Sequence, residues 1–184
     1  MGLRGEAAIV GFHELPCVRR PTGNPEFTLE QWARLAAAAL DDAGLSAADI
    51  DGLITTGVFE SEIFVPSTVV EYLGIPVNFA EYVDLGGASA AAMVWRAAAA
   101  IELGICSAVL CAIPANFLTP MNPARLPNMG DAVHFGASSF RYGSPQAEFE
   151  IPYGYLGQNG PYAQVASMYA AAYGYDERAM AKIV

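Results

Sequence analysis

The stretch "VDLGGASAAAMVW", Val83 to Trp95, decides how the chain is read. A short apolar run ends in two glycines, Gly86 and Gly87, and passes directly into a segment of small residues with helical character. A strand, tight turn and helix in this order place backbone N–H groups at a helix start, where they can bind an anion or polarise a carbonyl. The turn holds no cysteine, and Ser89 is its one hydroxyl.

Outward from this turn the pattern alternates. Upstream, "AAIVGF" reads as a buried first strand, followed from His13 to Phe27 by a loop with three prolines. "TLEQWARLAAAALDDAGL" reads as a helix with Thr28 and Gln31 spaced as a capping box and Gly44 as its stop. Ser46 and Asp49 form a second capping pair, "GLITT" a strand, "VPSTVVEYLGIP" a short helix and "VNFAEYV" a strand. Downstream, "ASAAAMVWRAAAAIELG" is a helix and "SAVLCAI" another strand. This alternation predicts an α/β fold with a mainly parallel sheet and helices on both faces.

The pattern dissolves from Pro114 to Gly160, a stretch too long for an ordinary connection within a compact domain. "PYAQVASMYAAAYGY" then reads as a helix with Pro161 in its first turn and Gly174 at its end. "DERAMAKIV" starts another helix behind Asp176 and gives no stop signal, as in a chain broken off inside a longer protein. The predicted division is a core over residues 1–115 and a loop subdomain over 116–184.

Composition narrows the function. The 184 residues carry 19 acidic and 9 basic side chains, with no basic cluster to neutralise phosphates, so nucleic acid is not an expected partner. Cys17, Cys106 and Cys111 form no C-x-x-C pair, which argues against a disulfide framework or zinc site and for a reducing, cytoplasmic setting. The most apolar window is interrupted by Arg96 and Glu102, so no membrane span is expected.

Several residues invite a functional reading and have a plainer one. His134, in "DAVHFG", could serve as a base near the site or be an ordinary loop histidine. His13 follows the first predicted strand, and neither histidine has a ligand-spaced partner, so no metal is expected. Gly154, Gly157 and Gly160 recur before a helix, but without the spacing or the lysine of a phosphate loop. Tyr153, Tyr155, Tyr162, Tyr169, Tyr173 and Tyr175 could line an apolar pocket, or could serve packing or an interface.

Three phrases resemble the thiolase superfamily, in its sterol-carrier-protein thiolase and lipid-transfer-protein branch. They are "LAAAALDDAGLSAADIDGLITTG", "VDLGGASAAAMVWRAAAAIELGICSAVLCAI" and "GPYAQVASMYAAAYGYDERAMAKIV", which together cover most of the chain. The resemblance implies a thiolase-like fold with an inserted loop subdomain. In that superfamily the turn carries a cysteine that takes up the acyl group; here Gly87 stands in its place, followed by Ala88 and Ser89, with Ala90 for the last glycine.

The resemblance therefore points to the cysteine-free lipid-transfer-protein aldolases, which cleave β-hydroxyacyl-CoA thioesters in steroid side-chain degradation by a retro-aldol step. It implies substrate binding at Gly86, Gly87, Ala88 and Ser89, with His134 as a further candidate, and a catalytic base beyond residue 184, so that this stretch alone is inactive. It implies a homodimer through "VNFAEYV", a partner protein with an OB-fold and zinc ribbon, and no cofactor apart from the CoA of the substrate. Two alternatives stay open. One is a thiolase-type acyltransferase with its nucleophile elsewhere, although none of the three cysteines opens a helix. The other is a non-catalytic scaffold or acyl-binding module.

Overall fold

The computed structural model describes residues 5–16, 26–58, 60–61, 63–114, 143, 145–155, 159–176, 178 and 181–182. The chain divides into two compact units, Met1–Thr119 and Pro120–Val184.

The first unit is built on three strands: β1 (Gly52–Thr55), β2 (Phe79–Tyr82) and β3 (Val109–Ala112), all parallel, in the order β2-β1-β3. Gly52 lies opposite Phe79 on one side and Val109 on the other. Helix α1 (Thr28–Ala43) precedes the sheet, α2 (Val65–Leu73) links β1 to β2, and α3 (Ser89–Glu102) links β2 to β3. Every residue of the central strand β1 is buried.

The alternation of side chains along the strands assigns the helices to opposite faces. Leu53 and Leu110 pack with Trp32 and Ala36 of α1 and Val65 and Val69 of α2. Ile54, one residue along, turns the other way and packs with Val83 and with Met93 of α3. Burial of such side chains contributes roughly 1.5–3 kcal/mol each. Trp32 adds a polar tie across this layer, its Nε1–H donating to Thr55 Oγ1 at 2.9 Å with both residues fully buried.

Local signals explain most element ends. Gly44 closes α1 at φ +68°, its N–H turned back on the Asp41 carbonyl. Ser46 and Asp49 form the expected cap, with Ser46 N–H and Oγ–H both 2.7 Å from Asp49 Oδ2. The start of α1 differs from expectation. The capping residue is Phe27, whose N–H donates to Glu30 Oε2 at 2.9 Å, and Thr28 is already in the first turn, bonded through its N–H and hydroxyl to Glu60. Gln31, expected as the capping partner, is instead almost fully buried.

A larger correction concerns "AAIVGF". The segment forms no strand, and Ile9, Val10 and Phe12 are 74%, 64% and 70% exposed. It lies along α1, where the Phe12 N–H donates to Asp42 Oδ2 at 2.9 Å and Gly11 closes on Ala39. Apolar residues alone do not make a strand: this segment is held against α1, by Asp42 and by the close approach of Gly11 to Ala39, and not by a strand edge.

The second unit contains α4 (Pro145–Phe149), a short 3-10 turn (Ile151–Tyr153) and α5 (Asn159–Tyr173). The first two fall in the stretch that shows no periodicity, since one-turn helices are too short to display one. Helix α5 matches the expected segment and ends before Gly174 at φ +83°. Most of the helix expected after Asp176 lies outside the described residues.

Candidate functional site

Strand β2 feeds the site. Val83 anchors the chain just past the strand, buried among Ile54 and Met93, with its N–H donating to the Thr55 carbonyl at 2.9 Å. Asp84 follows and folds the backbone forward: its Oδ1 accepts from Gly86 N–H at 3.2 Å and its Oδ2 from the Tyr82 hydroxyl at 3.4 Å. Gly86 then adopts φ +57°, a conformation that costs a side chain strain, which explains a glycine there.

Ser89 closes the turn. Its Oγ donates to the Gly86 carbonyl at 2.8 Å and accepts from Leu85 N–H at 2.9 Å, in a residue only 3% exposed. The N–H groups of Ala88 and Ser89 also turn back, on Leu85 and Gly86 carbonyls at 3.2 and 3.1 Å. Helix geometry leaves the N–H groups of Ala90 and Ala91 without an intrahelical acceptor, so these are the donors the α3 start offers to a ligand oxygen. Gly86, Gly87 and Ala88 are all exposed.

Gly87 differs from its neighbour. Its φ lies outside the left-handed region, and a Cβ added there would meet no heavy atom within 4 Å. The turn thus combines a helix start with an open position that carries no side chain.

Neither of the described cysteines, Cys106 and Cys111, lies in this turn. Cys111 lines a cavity, where burial away from water, then the nearby Cys106, pushes its thiol up to about 12. Burial, then the charge of Asp51, raises Cys106 as well. Both thiols stay protonated and weakly nucleophilic near neutral pH. Cys17 lies outside the described residues.

The cavity, about 600 Å³, wraps the outer edge of β3 between α1 and the 11–15 segment. Trp32, Leu35, Ala36, Leu110 and Ala112 make it mostly apolar, His13 and Glu14 add polar groups, and Ala90 extends its wall to the first turn of α3. This places His13 and Ala90 on one cavity, a juxtaposition that sequence spacing did not signal. Sequence reasoning also passed over Tyr82 and Asp84. An aspartate two residues before a glycine is a turn signal that could have found the second. Burial, then the neighbouring Asp84 charge, raises the Tyr82 phenol above its ordinary value, so it remains a donor.

The other candidates fall elsewhere. His134 and Gly157 lie outside the described residues. Gly154 ends the 3-10 turn at φ +88°, while Gly160 sits in α5 against the Tyr155 ring, so the two glycines serve separate elements. Tyr153, Tyr162, Tyr169, Tyr173 and Tyr175 are exposed, with the Tyr169 and Tyr173 rings 5.1 Å apart, and Tyr155 is bonded to Gln164. Among the described residues no group of three His, Cys, Asp or Glu side chains could hold a metal ion, and no helix is long and apolar enough to cross a membrane.

No family profile matches the chain. Over 111 residues it is 39% identical to a protein of Thermomonospora curvata named steroid side-chain-cleaving aldolase, a match that takes 59% of this chain and 27% of that protein. A solved structure, the Ltp2-ChsH2(DUF35) aldolase, superposes with a TM-score of 0.60 at 27% identity, over 82% of this chain and 35% of the other. The chain is therefore similar to aldolases of the lipid-transfer type, and it spans about a quarter to a third of their length.

Proposed function

We propose that the protein containing this sequence is a thiolase-like subunit that cleaves a carbon–carbon bond of a β-hydroxyacyl-CoA by a retro-aldol reaction, in steroid or lipid side-chain degradation. One observation carries the reading: the β2–α3 turn has a helix start with donors at Ala90 and Ala91 beside an open Gly87, the position that the resemblance to thiolases assigns to their acyl-accepting cysteine. Retro-aldol chemistry needs those donors and no acyl-enzyme. A base takes the proton of the hydroxyl, and the O–H electron pair becomes the new carbonyl as the Cα–Cβ bond breaks. The bond pair passes into the thioester enolate, which the donors stabilise and which takes a proton at Cα. The names of the two relatives support this reaction class.

The mostly apolar cavity reaching Ala90 supports an apolar acyl part. Removing a side chain from a ring carbon by this route requires the hydroxyl on that carbon, hence a tertiary alcohol, and leaves a ring ketone. The base belongs to the part of the protein beyond residue 184, and His134 is a candidate contact to substrate. In the same reading Gly86, Gly87, Ala88 and Ser89 form the substrate-facing turn, although Ser89 acts by holding its shape. The protein works in the cytoplasm, takes no cofactor beyond the CoA of its substrate, and pairs as a homodimer through the outer strand β2. An OB-fold and zinc-ribbon protein is the proposed further partner, in line with a solved relative whose name joins two components.

The test is to express the full-length gene product with any small zinc-ribbon protein encoded beside it and to follow a tertiary β-hydroxyacyl-CoA by mass spectrometry. Release of a ketone and a shortened acyl-CoA, unaffected by thiol alkylation, is the expected result. Loss of turnover on alkylation would favour the acyltransferase-type alternative with a cysteine elsewhere. A folded complex that cleaves none of several such substrates would favour the non-catalytic scaffold.

A further inference from the structure

The consecutive residues 110–113, in β3 and just past it, all line the cavity, and so do the consecutive residues 11–15 ahead of α1. Neighbouring side chains of a strand point to opposite faces of the sheet, so a cavity over one face would touch every second residue. One that touches each residue in turn runs along an edge. It borders the side of β3 that faces away from β1, and among the described residues that side pairs with no strand. Every second residue of β3 therefore turns its N–H and C=O into this groove. Apart from His13 and Glu14 the walls are apolar, with Trp32 and Leu35 of α1 among them, and offer those backbone groups few partners.

We propose that a further β-strand of the full-length polypeptide, from the part beyond residue 184, lies in this groove and pairs with the outer edge of β3. An extended chain meets both demands of the place, since its backbone completes the ladder and its side chains cover the apolar walls on either face. At about 3.3 Å per residue the edge of β3 is about 13 Å long, the reach of a four-residue strand. Two observations select this occupant. The shared span covers 27% of one relative and 35% of the other, so most of a protein of that kind is left to supply a strand. The groove is also recessed behind the 11–15 segment, which would hold the β3 edges of two copies apart but admits a single strand. The strand runs along β3 and leaves the Ala90 end of the cavity to the acyl part. The inference does not depend on the reaction proposed above.

The experiment is hydrogen exchange on the full-length wild-type protein, resolved to single amides and run free of ligand at several protein concentrations. The β3 amides that point away from β1 are expected to be protected to within about tenfold of those that bond to β1, together with a short protected run beyond residue 184. Outward amides that exchange like those of an exposed loop overturn the proposal. Protection that appears only after a β-hydroxyacyl-CoA is added would make the groove a ligand site, and protection lost on dilution would assign it to a second copy; either result overturns it as well. None of these outcomes bears on whether the protein cleaves its thioester, which the turnover assay decides separately.

Discussion

The two ends of the parallel sheet are built in opposite ways. At the amino end, Asp51 precedes β1 and grips the approach to β3: its carboxylate accepts from Ser107 N–H at 2.8 and 2.9 Å and from Ala108 N–H at 2.9 Å. The Asp51 backbone carbonyl takes the Asn78 N–H at 2.7 Å, so one residue ties the starts of all three strands. At the carboxyl end, the β2–α3 turn is exposed, open at Gly87, and has backbone donors at the start of α3. Polar groups at one end satisfy each other; at the other, the first N–H groups of α3 have no intrahelical acceptor. Open parallel sheets commonly bind ligands at their carboxyl ends.

Substitutions at three positions probe this contrast. The largest effect belongs to the layer that joins the two ends. Trp32→Ala empties a fully buried site and removes the donor to Thr55, and should destabilise by about 3–5 kcal/mol in a urea titration. A loss under about 1 kcal/mol would mean that α1 is not what holds the sheet.

Next comes the amino end. Asp51→Ala should cost about 1–3 kcal/mol, since it strips a charged acceptor from two backbone donors, while leaving the reaction at the other end intact. The Ala108 N–H is the largest cause that depresses the Asp51 carboxyl below its ordinary value. A group depressed on folding stabilises above its unfolded pKa, near 3.9, and loses that contribution as the pH falls through its folded value. The stability gap between wild type and Asp51→Asn should therefore shrink as pH falls below about 4. A gap that stays constant with pH would show that the carboxylate charge is irrelevant.

The smallest effect on stability is expected at the site. Gly86→Ala forces a side chain into φ +57° and should cost about 1–2 kcal/mol. Its loss of activity should exceed what the stability change explains, because the turn aims the donors. Unchanged kcat/KM with the lowered stability would detach the turn from the reaction.

Much of this architecture was legible in the sequence. The three strands, α1 to α3 and α5 appear where periodicity and caps put them, because each carries its own signal within ten or so residues. Ser46 with Asp49, and Gly44 at the end of α1, are local chemistry read directly. The error at "AAIVGF" has the opposite origin: the segment is held by Asp42 of α1, 30 residues away from Phe12 in sequence, and not by a strand edge. The Thr28 error is of the same kind, since Glu60, 32 residues away, takes the hydroxyl that a local cap would have used. Of the site, the glycine pair and helix start were visible. The roles of Asp84 and Ser89 in shaping the turn, and the cavity that reaches Ala90, depend on three-dimensional contacts that spacing does not encode.

The openness of Gly87 also bears on inhibition. Electrophilic warheads that disarm a cysteine-bearing turn of this kind work by forming a bond to sulfur. Here they meet a backbone carbon with nothing to alkylate. Such compounds have no sulfur to bond at this turn, so a ligand for it would have to bind by shape and hydrogen bonds rather than by a covalent bond.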